Sequence, residues 1–247
     1  NLTNLVLEYD LGWASLMSSS AWIEQESVQE RDQSAFVRGR PAVVHFGANV
    51  DVFIEEVRLV SQLDGPFQYT MGVYYEDTQS DSVDGDTLTY FLTDQWLNER
   101  LAVRGLTENP FGPDSRVLSQ SSLSQSIEQL SYYGELSYAF TEQWELTAGV
   151  RRFDYERDNV SRRIDHLLFP SPSTFVTPTS TEEDGTSYKL NLSYTPNDDT
   201  LVYALYSEGF RLGNTNFVGA VRPDVCDVNN DGILDGTSVK IADGFDS

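Results

Sequence analysis

The sequence predicts an all-β chain, a segment of an antiparallel transmembrane β-barrel with short periplasmic turns and long extracellular loops. Three observations carry that expectation. Amphipathic runs of period two recur along the chain, and tight and long polar connections alternate between them. No run of about 18 apolar residues offers a membrane-spanning helix, a test that leaves a barrel open. In a barrel wall, lipid-facing and lumen-facing residues alternate along every strand.

The elements follow in order. Residues 3–9 lead to a turn at Asp10-Leu-Gly12, and 13–26 return with Trp13 and Trp22. Residues 52–62 turn at Asp64-Gly-Pro66 into 67–77, where Phe67, Tyr69, Met71, Val73 and Tyr75 share one face against Gln68, Thr70, Gly72 and Glu76. Residues 127–140 turn at Thr141-Glu-Gln143 into 144–157; Leu130, Tyr132, Leu136, Tyr138 and Phe140 oppose Gln129, Ser131, Glu135 and Ser137. Residues 184–195 turn at Pro196-Asn-Asp-Asp199 into 200–213, with Tyr188, Leu190, Leu192 and Tyr194 against Lys189, Asn191 and Ser193. Each turn holds Gly, Pro, Asn, Asp or Thr, which supply turn geometry or local hydrogen bonds, so the hairpins (about 3–26, 52–77, 127–157 and 184–213) give about eight strands.

Between them lie the expected extracellular loops, 27–51, 78–126, 158–183 and 214–247, with a short helix within Leu88–Arg104. Such long connections are uncommon in compact soluble domains. A soluble β-sandwich would mix connection lengths without regard to parity.

Composition bounds the partners. The 247 residues carry 39% hydrophobic and 12% aromatic side chains and a formal net charge of −23. That charge argues against nucleic acid or anionic lipid as a partner. The first residues, Asn1-Leu-Thr-Asn, carry no targeting signal, and the last, ending at Ser247, read as mid-loop, so the whole of 1–247 is expected to be part of a longer barrel domain. Cys226 is the single cysteine and has no internal partner. In 52–62, Phe53, Val57 and Leu59 oppose Glu56 and Arg58; charged groups are too costly for lipid, so Glu56 and Arg58 face a wet lumen.

Tyr203-Ala-Leu-Tyr-Ser-Glu-Gly-Phe-Arg211 resembles the "Y-x-x-Y-S-x-G-F-R" strand of TonB-dependent outer-membrane receptors. Tyr132–Glu156 resembles the family's hairpin with a "W-x-L-x-x-G-x-R" return, carried by Trp144, Gly149 and Arg151. Ile54–Asp77 resembles its "Q-E-x-R-L" strand, with Glu55 where glutamine is more usual. The resemblance implies a barrel of about 22 strands closed around a plug, of which this chain lacks the plug, the energy-coupling box and the C-terminal strands; eight strands cannot close so wide a barrel. It further implies an outer-membrane protein that imports a scarce nutrient, foremost a ferric siderophore, driven by the TonB complex acting through the missing N-terminal region. Glu208 and Arg211, with Glu56 and Arg58, would then line the lumen, as contacts to substrate or plug or as members of a structural charge network.

Asp227-Val-Asn-Asn-Asp-Gly-Ile-Leu-Asp235 matches the opening of a calcium loop. Asp227, Asn229, Asp231 and Asp235 would offer side-chain oxygens and Ile233 a backbone carbonyl, while Ser238 stands where a bidentate glutamate belongs. No cofactor is required, but this loop is a candidate structural Ca²⁺ site. His45 and His166 lack neighbouring ligands for a transition metal. Trp13, Trp22, Tyr138, Trp144 and Tyr203 read as interface-girdle residues. No nucleophile or acid–base constellation points to an enzyme. The rival to a receptor is a secreted or cell-surface β-rich binding protein, stabilised by calcium and without transport.

Overall fold

Hairpins form where the alternation predicts them, and each short turn is closed by a side chain. In the computed structural model, which describes residues 1–35, 41–82, 87–91, 93–165, 167 and 173–210, β1 (Leu2–Asp10) pairs with β2 (Ala14–Asp32). Asp10 Oδ1 accepts the Gly12 N–H at 2.7 Å, and Gly12 takes the left-handed φ of 82° that the turn needs. β3 (Ala42–Ser61) turns into β4 (Phe67–Ser82), where the Gln68 amide is held by Ser61 Oγ at 2.7 Å and by the Leu63 carbonyl at 2.7 Å. β6 (Val117–Ala139) turns into β7 (Trp144–Asp165) over Thr141, whose hydroxyl accepts the Gln143 and Trp144 N–H groups. β8 (Ser173–Asn197) meets β9 (Thr200–Ser207) at a turn in which Asn197 Oδ1 accepts the Asp199 N–H.

The strands form one antiparallel sheet in chain order, β1-β2-β3-β4-β6-β7-β8-β9. A short β5 (Thr87–Phe91) lies off this path and pairs with both β3 and β6. Eight strands on the path match the sequence expectation.

The strands outrun their predicted ends. β6, β7 and β8 are 23, 22 and 25 residues long, whereas about 9–11 tilted residues cross a membrane. Most of the segments expected as loops at 27–51 and 158–183, and both ends of 78–126, are therefore paired strand, and the connections beyond them are shorter. In Ser119–Ser126 and Asp158–Asp165 neither face is apolar, so alternation leaves no signal there; in β3 it does extend upward, through Ala42, Val44, Phe46, Ala48 and Val50. Backbone ladders and polar pairs hold the extensions together; Gln125 Nε2 donates to Asn159 Oδ1 at 2.7 Å, for example. At the other end, β9 stops at Ser207, short of the expected 213.

The helix expected within Leu88–Arg104 is confined to α1 (Asp94–Val103), because the β-forming Thr87–Phe91 pairs as β5 instead. Gly105 ends α1 with φ 64°, and the Leu106 N–H reaches back to the Leu101 carbonyl at 2.9 Å. Trp96 and Leu101 of α1 form a small core with Leu118 and Leu167, which fixes the connection over the top of β6.

The sheet is inside-out. Its apolar face is the exposed one: Met71, Tyr132, Leu136, Tyr188 and Leu190 are about half exposed, from 48% to 55%. Its polar face is the covered one, with Gln129, Ser131, Thr147, Tyr155 and Arg157 all buried. On the apolar face, cross-strand rows read Leu59–Met71, Val57–Val73–Tyr132, Leu136–Ala148–Leu190 and Leu146–Leu192. Aromatic contacts bound this band: Trp144 stacks on Tyr194 at 4.3 Å near the short turns, and Trp22 meets Phe53 at 5.4 Å further up. Above the band the same face turns acidic, and Asp77, Glu128, Glu156 and Glu182 stand directly opposite one another on four successive strands of the path.

Candidate functional site

The polar face carries a set of cross-strand contacts, and three glycines make them possible. Glu56 and Arg58 are neighbours on this face of β3. Tyr133 of β6 reaches across β4 to donate its hydroxyl to Glu56 at 2.5 Å, passing over Gly72, where an added Cβ would sit 2.5 Å from the Tyr133 oxygen. Glu135 crosses β7 at Gly149 to meet Lys189 Nζ of β8 at 2.8 Å. Phe153 crosses β8 at Gly185 and stacks on Phe210 with ring centroids 3.9 Å apart. In each case a side chain passes over its nearest neighbour strand to touch a residue beyond it, which a residue without a Cβ permits.

Arg151 sits at the centre of this arrangement. Its guanidinium donates to Ser131 Oγ at 3.1 Å and lies 5.5 Å from the ring centroids of both Tyr74 and Phe210. Tyr74 in turn donates to Glu76 at 2.6 Å. Arg58 Nη2 approaches Met17 Sδ at 3.5 Å. The Nε atoms of Arg58 and Arg151 are buried without a hydrogen-bond partner. The surface thus offers fixed guanidinium donors between aromatic rings, an arrangement suited to holding a polar, anionic or planar group.

Of the residues singled out in the sequence, Glu56 and Arg58 fall into this network. Glu208 stands apart: it accepts the Tyr188 N–H at 3.1 Å and the Tyr206 hydroxyl at 2.8 Å at the β8–β9 edge. Arg211 and the calcium-like residues Asp227, Asn229, Asp231, Ile233 and Asp235 lie outside the described residues, as does His166. Tyr203 differs from its girdle assignment. The β8–β9 register puts it beside Ser193 on the polar face, while Val202 and Tyr206 take the apolar side. Tyr133, Arg151 and Phe153 escaped sequence analysis as site residues, because Tyr133 and Phe153 act over the glycines they face, Gly72 and Gly185, and Arg151 through rings and a hydroxyl remote in sequence. Among the described residues no group of His, Cys, Asp and Glu is disposed to hold a metal ion, and no helix is long and apolar enough to cross a membrane.

Residues 2–237 match the family model "TonB dependent receptor-like, beta-barrel". The chain belongs to the TonB-dependent receptor family. That family comprises receptors rather than enzymes. No curated protein matches the sequence. Among solved structures, this TonB-dependent receptor segment is similar to the ferric yersiniabactin uptake receptor FyuA from Yersinia pestis, at 16% identity and a TM-score of 0.60 over 82% of this chain and 26% of that one. It is similar to the ferric-catecholate import receptor Fiu from E. coli K12 in its open form, at 13% identity and a TM-score of 0.54 over 83% of this chain and 34% of that one. It is also similar to the siderophore receptor PiuA from Acinetobacter baumannii, at 15% identity and a TM-score of 0.50 over 83% and 31%. At such identities the likeness is one of fold. The chain spans about a quarter to a third of those receptor chains.

Proposed function

We propose that this chain forms part of the wall of an outer-membrane receptor that binds and imports a scarce nutrient, most specifically a ferric siderophore. The observation that carries the proposal is the inside-out sheet, whose half-exposed apolar band fits lipid and whose buried polar network fits a lumen or plug. Family membership and three neighbours named for ferric or siderophore uptake support the cargo. Both favour import over a calcium-stabilised secreted binding protein. Energy would come from the TonB complex, engaged through a part of the receptor outside this chain. Deleting the whole reading frame should abolish uptake of radioactive iron from at least one ferric siderophore. Unchanged uptake across ferric catecholates, hydroxamates and phenolates would move the cargo to haem, cobalamin or an oligosaccharide.

In this orientation the short turns face the periplasm and the α1 connection faces outward. Protease added to intact cells should cut between residues 104 and 116 while sparing the turns at 62–66 and 140–143. Cleavage confined to those turns would reverse the orientation.

The calcium-like loop 224–238 extends the proposal. Four hard oxygen side chains at calcium spacing should order this loop around one Ca²⁺ of weak, millimolar-class affinity, since the twelfth-position ligand is Ser238. Isothermal titration of the whole receptor against Asp231→Ala checks it. Equal heats in the two proteins would leave the loop metal-free.

A further inference from the structure

On the β1–β4 part of the apolar face, Glu55 is the charge nearest the short turns, and its surroundings keep it available. Along β1–β4 this face carries no charged residue from the short turns up to Glu55; the next row carries Asp77 opposite Phe53, and the row after it Glu24 and Asp51. Glu55 shares its face with Phe53, Val57 and Leu59 and pairs across the sheet with Ser20 and Tyr75. Ser18 Oγ donates to one carboxylate oxygen at 2.8 Å, and Ser20 Oγ donates to the other. Two hydroxyls fix the carboxylate and leave lone pairs free on both oxygens. No lysine or arginine stands on this face of β1–β4, so the sheet supplies no counter-ion there. An ionisable group at this depth in hydrocarbon is costly without a partner.

The surroundings define what that partner would be. Tyr75 stands beside Glu55, and Trp22 and Phe53 lie directly above, with Trp22 and Phe53 at 5.4 Å and Phe53 and Tyr75 at 6.3 Å between centroids. A carboxylate beside aromatic rings recognises an ammonium group. Directly below, on the same face, Leu16, Val57, Leu59, Met71, Val73 and Tyr132 line an apolar groove of about 370 Å³. Asp77, directly opposite Phe53, and Glu24 and Asp51 one row further up repel an anionic headgroup and favour a cationic one.

We propose that the β2–β4 face is a binding site for a phospholipid bearing a primary ammonium headgroup. Glu55 receives the ammonium, Trp22, Phe53 and Tyr75 flank it, and the groove beneath takes an acyl chain. The proposal goes beyond import and rests on the membrane part of that reading, that this face meets lipid.

The test uses the intact receptor in detergent, with native mass spectrometry of bound phosphatidylethanolamine and phosphatidylglycerol of identical acyl chains. The wild-type receptor should prefer phosphatidylethanolamine by about tenfold, and free ethanolamine at the same concentration should leave the lipid adduct unchanged. Glu55→Gln should bring the two lipids to near parity, whereas Glu182→Gln, on the acidic row away from the site, should keep the preference. Should Glu55→Gln fail to assemble, the paired change Ser18→Ala with Ser20→Ala loosens the carboxylate and should weaken the preference. Parity in the wild type, a preference that survives Glu55→Gln, or displacement of lipid by ethanolamine alone would each overturn the proposal. A receptor that sediments with membranes yet shows no preference sinks this site alone, while one found in the soluble fraction sinks the membrane reading with it.

Discussion

Replacing Leu190 with arginine should destabilise the assembled receptor by roughly 2–4 kcal/mol, the magnitude measured for a basic residue on the lipid face near the bilayer midplane. Leu190 is 48% exposed and lies in the apolar row between Ala148 and Tyr206. Asn191, the next residue, takes the other face, where it pairs with Thr147 and donates to Ser193 Oγ at 2.9 Å. Asn191→Arg should therefore cost much less, because its guanidinium reaches water. Urea titrations of both variants in lipid bilayers give the comparison. Equal losses would mean that the two faces of β8 do not meet different solvents.

The second large effect is expected at Gly72. A Cβ there would lie 2.5 Å from the Tyr133 hydroxyl oxygen, 2.6 Å from its Cζ and 2.8 Å from the Val57 carbonyl oxygen. Tyrosine could swing aside, but the backbone oxygen belongs to the β3–β4 ladder and cannot. Gly72→Ala should cost about 1–3 kcal/mol through overpacking, and it should break the Tyr133–Glu56 bond as well. Combining it with Tyr133→Ala should recover only part of the loss, since the collision with Val57 persists. A double-mutant cycle on urea midpoints reads this directly. Full recovery would show that the tyrosine alone made the glycine necessary.

How far the fold could be read in the sequence depended on solvent contrast. Where one face is apolar and the other polar, as in 67–77 or 188–194, alternation located the strands and their turns to within a few residues. Where both faces are polar, as in Ser119–Ser126 opposite Asp158–Asp165, the same pairing leaves no period to detect. The helix α1 was visible only in part, because Leu88 and Phe91, read as its first turns, belong to β5. The candidate site was legible at Glu56 and Arg58, whose charges oppose apolar neighbours on one strand. Tyr133 and Phe153 were not, since nothing local announces that each would pass over a glycine remote in sequence. Tyr203 was misplaced because β9 is apolar on both faces, with Leu201, Tyr203 and Leu205 alternating with Val202, Ala204 and Tyr206.

The row Asp77–Glu128–Glu156–Glu182 makes the upper wall responsive to protons. Like charges directly opposite each other loosen a ladder. The Glu156 carboxyl is held above the usual range, first by Asp158 on its own strand and then by desolvation, Glu182, Glu128 and Asp154. A carboxyl whose folded value is raised favours the folded state when protonated, so its contribution is present in acid and lost as pH rises through that raised value. The paired strands above the band should therefore tighten in mildly acidic medium and breathe in alkaline medium, with amide exchange at residues 126–130 and 154–158 slowing on acidification beyond the intrinsic chemical effect. Such a wall would be stiffest in acid surroundings, where its carboxylates stop pushing one another apart.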